Sequence, residues 1–125
     1  MALERNLTLI SLPAAADLSA DQFHIVAIDA SGRAALATGT VSKVIGVLYN
    51  KVSGTAYGAQ VAIAGVARVV AGGSVAPGDY IVSDGAGFGI AGTGATSQVV
   101  GRCISNEATA SGYIFECLLQ PGMQL

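Results

Sequence analysis

Brief apolar segments, separated by clusters of Gly, Ser, Thr and Asp, run the length of the chain. FHIVAID, KVIGVLYN, AQVAIAGVARVV, DYIVSD, QVVGRCIS and GYIFECLLQ are rich in Val, Ile and Tyr. Runs of this kind bounded by turn formers are the mark of β-strands. Turn signals return about every 8–12 residues, as in a sandwich or barrel. No window combines helical periodicity with a cap at each end, and only PAAADLSADQF tolerates a turn or two of helix. The pattern predicts an all-β protein: a small β-barrel domain over residues 21–125, preceded by an extended N-terminal arm over residues 1–20.

An internal echo divides the domain. DASG at 29–32, KVIG at 43–46 and GAQVAIAG at 58–65 are matched by DGAG at 84–87, QVVG at 98–101 and YIFECLLQ at 113–120. Asp29 and Asp84, Gly32 and Gly87, and Gly46 and Gly101 share one offset of 55. An ungapped shift that superposes turn residues on turn residues suggests a duplicated meander, with repeats over 25–65 and 80–120. In each copy the aspartate can bond the backbone two residues on, and the glycine that follows can adopt positive φ. Gly46 and Gly101 fall inside strands, where glycine marks a bulge or a close backbone approach. Pro77-Gly78 carries the type II turn signature between the halves.

Composition sharpens the picture. Only 11% of the 125 residues are charged, against about 25% in typical soluble domains. So few charges cannot cover a free-standing exterior, which implies that much of it meets other protein. The formal net charge of −2 leaves no basic footprint for nucleic acid. The most apolar run, VAIAGVARVV, is broken by Arg68 and falls short of the roughly 20 residues of a spanning helix. The aromatic girdles of a membrane barrel are missing too. LTLISLPAAA at 7–16 has the look of a short signal-peptide core, but Glu4 cancels Arg5, and Asn6, Thr8 and Ser11 dilute it. The reading favoured here is an apolar arm lying on a neighbouring surface.

Candidate chemistry is thin. GFGIAG places glycines at 87, 89 and 92 in a literal dinucleotide spacing, but TGATSQVVG after it is a poor helix, and the acid at the required distance, Glu107, falls in a predicted turn. These glycines read as turn punctuation. His24 is the sole histidine and no G-x-S-x-G exists, while Ser31, Ser74 and Ser83 stand in turn contexts. Asp79 and Asp84 flank YIVS without the alternation of a calcium loop. One His and two Cys leave a zinc site incomplete. With no Trp, the tyrosines 49, 57, 80 and 113 read as core-edge or interface residues. No catalytic, cofactor or metal residue is assigned. Cys103 and Cys117 would face each other across a hairpin turning near Ala110, so a bridge is geometrically conceivable; two buried free thiols is the favoured reading.

The central run, in which VAIAGVARV leads into VAPGDYIVSDGAG, with the DASGRAALA loop, KVIGVLYN, VVGRCIS and the closing IFECLLQPG, resembles the small capsid decoration (cement) proteins of tailed bacteriophages. The resemblance spans roughly residues 20–121. It implies a β-barrel or β-tulip protein that assembles as a homotrimer on the outer surface of an icosahedral head, with the major capsid protein as its partner and no cofactor. It further implies a virion component made in the host cytoplasm. The arm would then suit strand addition to a neighbour's edge, and Arg33, Lys43, Lys51, Arg68 and Arg102 would face solvent or capsid. Two other readings stay open: a glycan- or receptor-binding virion module using loops 50–57 and 105–112, and, less favoured, a small β-barrel hydrolase using His24.

Overall fold

The structure is a computed structural model that describes residues 6–40, 42–94, 96–106 and 108–125. Among these residues the chain forms strands alone. They are β1 Leu7–Pro13, β2 Ile25–Ile28, β3 Ala34–Leu36, β4 Val44–Leu48, β5 Gly58–Val70, β6 Tyr80–Ser83, β7 Gly89–Ala91, β8 Gln98–Cys103 and β9 Ile114–Gln124. The stretch PAAADLSADQF takes turns and bends, with no helix.

The strands order as β3-β2-β4-β5-β9-β8-β6-β7, with β1 added on β5, and every ladder is antiparallel. Each half therefore lays a hairpin at the outside, then one strand, then a long strand at the centre. The sheet curls until its flanks meet: the Ile25 N–H donates to the Gly87 carbonyl (2.7 Å), and the Gln98 N–H to the Thr40 carbonyl (2.7 Å). The outcome is the small, barrel-like all-β domain that the strand pattern predicts.

The offset of 55 returns in the hydrogen bonds. Asp29 Oδ1 accepts from the Ser31 and Arg33 N–H groups at 2.9 and 2.8 Å. Asp84 Oδ1 accepts from Ala86 and Phe88 at 2.8 and 3.0 Å. Gly32 and Gly87 close the two loops at φ 76° and 81°. In the strands, a Cβ on Gly46 would overlap the Ala62 carbonyl oxygen, and one on Gly101 would overlap the Leu118 carbonyl oxygen. Both glycines mark a near-contact of neighbouring backbones beside a register shift, the arrangement expected of a bulge. Between the halves, Gly78 at φ 93° and the Asp79 N–H on the Ala76 carbonyl (3.1 Å) complete the Pro77-Gly78 turn.

Two apolar clusters hold the sheet. The larger lies inside the curl and gathers Ile25, Val47, Ala62, Val69, Ile81, Val100, Cys103, Phe115 and Cys117 from both halves. The smaller sits on the opposite face of the first half, where Val26, Leu48, Ala59 and Val61 are covered by Ala14, Leu18 and Val52. Strands β2 and β4 are thus buried on both faces, which is why IVAI and VIGVL read as unbroken apolar runs. The N-terminal segment departs from expectation here. Leu7–Pro13 adds to β5 of its own chain, from Leu7↔Gly65 to Pro13↔Gly58, and Ala14 and Leu18 are buried in the second cluster. The strand addition expected against a neighbour is made within the chain. The physical reason is that β5 from Gly58 to Gly65 offers an edge of backbone groups that a tethered strand can pair, while Ala14 and Leu18, which follow it, take Ala59 and Val61 out of water.

Two measurements test this account. Gly101→Ala sets a methyl against an immovable backbone carbonyl and is expected to cost about 3 kcal/mol in urea unfolding, whereas Gly73→Ala, with open space around its Cβ, should stay within about 0.5 kcal/mol of wild type. The second concerns pH. The Arg33 backbone N–H chiefly, helped by the Ser31 N–H and the Arg33 charge, holds the Asp29 carboxyl below its ordinary value, against a desolvation effect that is second in size and pushes it up. A carboxyl depressed in the folded state contributes stability above its unfolded pKa and loses it as pH falls through the folded pKa. Asp29→Asn should therefore be less stable at neutral pH and show a shallower loss below about pH 4, read from thermal unfolding across an acid series.

Candidate interaction surface

The residues that sequence reasoning weighed for chemistry are dispersed into structural tasks. His24 lies at the start of β2, its Nδ1 3.1 Å from the Ala86 carbonyl. A carbonyl only accepts, so the proton sits on Nδ1. The ring packs on Phe88 with centroids 4.7 Å apart, and Asp21 Oδ1 is 3.8 Å away. These contacts pin the 84–88 loop over the mouth of the curl. No nucleophile stands among them. Ser83 is buried and donates its hydroxyl to the Asp84 carbonyl at 2.8 Å. Asp79 Oδ2 caps the Ala76 N–H at 3.0 Å, and Asp84 closes its own loop. Among the described residues no cluster of three or more His, Cys, Asp or Glu could hold a metal ion.

The GFGIAG glycines also resolve. Gly89–Ala91 is strand β7, not the start of a helix. A Cβ on Gly89 would press on Phe115, Val69 and Ile81 at 2.9–3.0 Å. Gly87 is turn punctuation, as read from the sequence. Gly89 is instead demanded by core packing, a role with no sequence signal because its neighbours come from three other strands. Glu107 lies outside the described residues, as do residues 1–5 with Glu4 and Arg5. No helix among the described residues is long and apolar enough to cross a membrane.

What remains is a surface. The period of two along β9 sends Phe115, Cys117 and Leu119 into the core and Ile114, Glu116 and Leu118 outward. Across the ladders these outward residues oppose Val70, Arg68 and Val66 of β5, and Leu118 also opposes Arg102 of β8. The Ile104 N–H donates to the Glu116 carbonyl at 3.0 Å, which adds Ile104 to the same side. Ile104, Ile114 and Leu118 are about 40% exposed, far more than core aliphatic residues. A depression of about 390 Å³ opens among Arg68, Ile114, Phe115 and Glu116. The Arg102 guanidinium lies 4.3 Å above the Tyr80 ring at the margin, a cation–π contact that keeps its charge at the rim. The strip is apolar, with an Arg and a Glu directly opposed at its centre.

A second exposed zone follows β1. Leu9 and Ile10 are exposed there, and a depression of about 340 Å³ is lined by Leu12, Pro13, Ala56 and Tyr57 among others. Tyr57 and Tyr113 are the most exposed aromatic residues, at 61% and 53%. The other tyrosines are engaged: Tyr49 meets Phe23 edge-on at 5.1 Å and accepts the Arg68 N–H at 2.6 Å. Of the cations raised from the sequence, Arg33 pairs with Asp29 at 3.2 Å, and Lys43 and Lys51 are exposed.

No family model matches the chain, and no curated protein matches it. Among solved structures it is similar to the head fiber gp8.5 N base of bacteriophage phi29, at 16% identity and a TM-score of 0.67. The match covers 90% of this chain and 95% of that one. The likeness is one of fold. It extends over nearly the whole of both chains, so the curled sheet is shared as a unit rather than as a local motif.

The strip makes its own prediction. Because Ile114 and Leu118 already meet water on their outer side, Ile114→Lys and Leu118→Lys should each change folding stability by no more than about 1 kcal/mol, the lysine stem covering the same apolar ground. Phe115→Ala, one position inward, should cost about 3–5 kcal/mol. Urea unfolding of the three variants reads the contrast.

Proposed function

We propose that this chain is a structural protein of a bacteriophage virion, and within the virion a decoration protein: a trimer on the outer surface of the head that braces neighbouring major capsid subunits. The observation that carries the reading is the whole-length fold likeness to a phage head fiber base. The resemblance of the VAIAGVARV–VAPGDYIVSDGAG run to capsid decoration proteins supports the finer part. The β5–β9–β8 strip supplies what such a protein needs, an apolar patch of limited size with charges at its centre and rim.

Function on this reading is mechanical. A protein that binds the assembled shell and not its separated subunits stabilises the shell by mass action. Each subunit contact can be weak. Once one subunit of a trimer has bound, the other two bind intramolecularly, and avidity exceeds the single-site affinity by roughly two to four orders of magnitude. Catalysis forms no part of the proposal, since His24 is committed to holding the 84–88 loop.

The test uses the purified chain and the heads of its own phage. Mass measurement at micromolar concentration is expected to give a trimer, heads mixed with protein should gain density on their outer surface by cryo-EM, and their thermal disruption should move upward. Ile114→Lys/Leu118→Lys, folded but altered on the strip, should be monomeric and lose these effects. A wild-type protein that stays monomeric at high micromolar concentration and leaves heads unchanged overturns the decoration role. Glycan binding at millimolar affinity or better, without head stabilisation, would replace it with a receptor-binding virion module.

A further inference from the structure

We propose that Cys103 and Cys117 form a latent disulfide site, built to close into an intrachain cross-strand bond when a small-molecule disulfide supplies the oxidant. The two residues are direct partners in the β8–β9 ladder, and both thiols are free and buried in the same cluster. The phase of the ladder decides the geometry. The Cys103 N–H donates to the Asp79 carbonyl (2.9 Å) and its own carbonyl accepts from the Gly78 N–H (2.8 Å), so both backbone groups point away from β9. The next residue, Ile104, donates across to Glu116 at 3.0 Å. Cys103 and Cys117 are therefore a non-hydrogen-bonded antiparallel pair, the closer of the two kinds, with Cα atoms about 4.5 Å apart. That falls inside the roughly 4.4–6.8 Å span of natural disulfides.

The side chains are parked apart in the thiol form. Cys103 Sγ donates to the Ser105 carbonyl at 3.0 Å, while Cys117 Sγ lies over Gly101, where a Cβ would stand 2.6 Å from the sulfur. The missing side chain at Gly101 is what admits the Cys117 sulfur to its parked position, and closing the bond requires rotation about χ1 of each residue toward the other. The chemistry balances as thiol–disulfide exchange. One cysteine thiolate attacks the small disulfide, forming a mixed disulfide and releasing one small thiolate; the second cysteine thiolate then displaces the other. The protein loses two protons and two electrons, and the oxidant is reduced to two thiols. Burial pushes the Cys117 thiol up to about 12, with Cys103 adding to the effect, and raises Cys103 as well. The thiolate is thus scarce in the closed fold, and the bond forms slowly, on opening of the hairpin. Once closed, it staples the hairpin from which Ile104 and Leu118 project. The inference stands independently of the proposed function.

The test is thermodynamic, so slow access does not obscure it. Reduced protein and separately oxidised protein are equilibrated in a series of glutathione/glutathione-disulfide buffers until the two starting points agree, once in native buffer and once in denaturant. Acid quenching, alkylation and peptide mass mapping then count the Cys103–Cys117 bond. For a loop this short, chain entropy predicts an equilibrium constant about a hundredfold higher in the folded chain than in the denatured one. Cys103→Ser should yield only the glutathione adduct at Cys117. A folded-to-denatured ratio below about ten overturns the proposal, because the fold would then hold the two sulfurs no better than a flexible loop does.

Discussion

Strand β5 is where the two halves of the molecule become one. Its first residues pair with β4 and β1, its last with β9, and Gly65 at φ 96° lies between. A four-stranded meander of either half alone would leave the apolar face that now lines the curl in water. Joined through β5, the two sheets bend toward each other, and Phe115 and Ile81 of one half meet Ile25, Val47 and Val69 of the other. Hydrophobic burial on this scale is what offsets the entropy of ordering so many short strands. Every other feature, from the docking of the 84–88 loop on β2 to the exposure of the β9 outer face, follows from that junction.

The halves share a plan and differ in what covers them. Strands β2 and β4 of the first half are buried on both faces, because the chain before them folds back as β1 and then lays Ala14 and Leu18 over Val26, Leu48 and Val61. Among the described residues no segment does this for the second half, and Ile104, Ile114 and Leu118 stay at the surface. This asymmetry qualifies the inference drawn from the scarcity of charge. Part of the apolar content that would otherwise call for neighbouring protein is covered by the chain itself. What is left over is the β9 strip and the zone along β1, and patches of limited size suit a specific contact better than a wholly apolar exterior would.

Local signals were the most legible. An aspartate that bonds the backbone two residues on, a glycine at positive φ and a Pro-Gly turn all act within a few residues, so Asp29, Asp84, Gly87 and Gly78 could be assigned before any strand was paired; the second bond of each aspartate, to Arg33 and to Phe88, was added by the structure. The facing of Cys103 and Cys117 was legible for the same reason, since a hairpin is a short-range structure. Gly46 and Gly101 were recognised as close approaches, although not which carbonyl approached them. The role of Gly89 was invisible, and so was the contact of His24 with Ala86, which joins residues 62 apart in the chain.

The amino-acid order alone determined that this chain builds strands, where they turn and which aspartates and glycines close the loops at 29–32 and 84–87, because each of these rests on residue type and near-neighbour spacing. Tertiary structure alone decided that β1 pairs with its own β5, that β2 and β4 are buried on both faces and that β9 presents an apolar strip. Those outcomes depend on which distant segments compete for the same buried surface, and no local pattern along the chain encodes that competition.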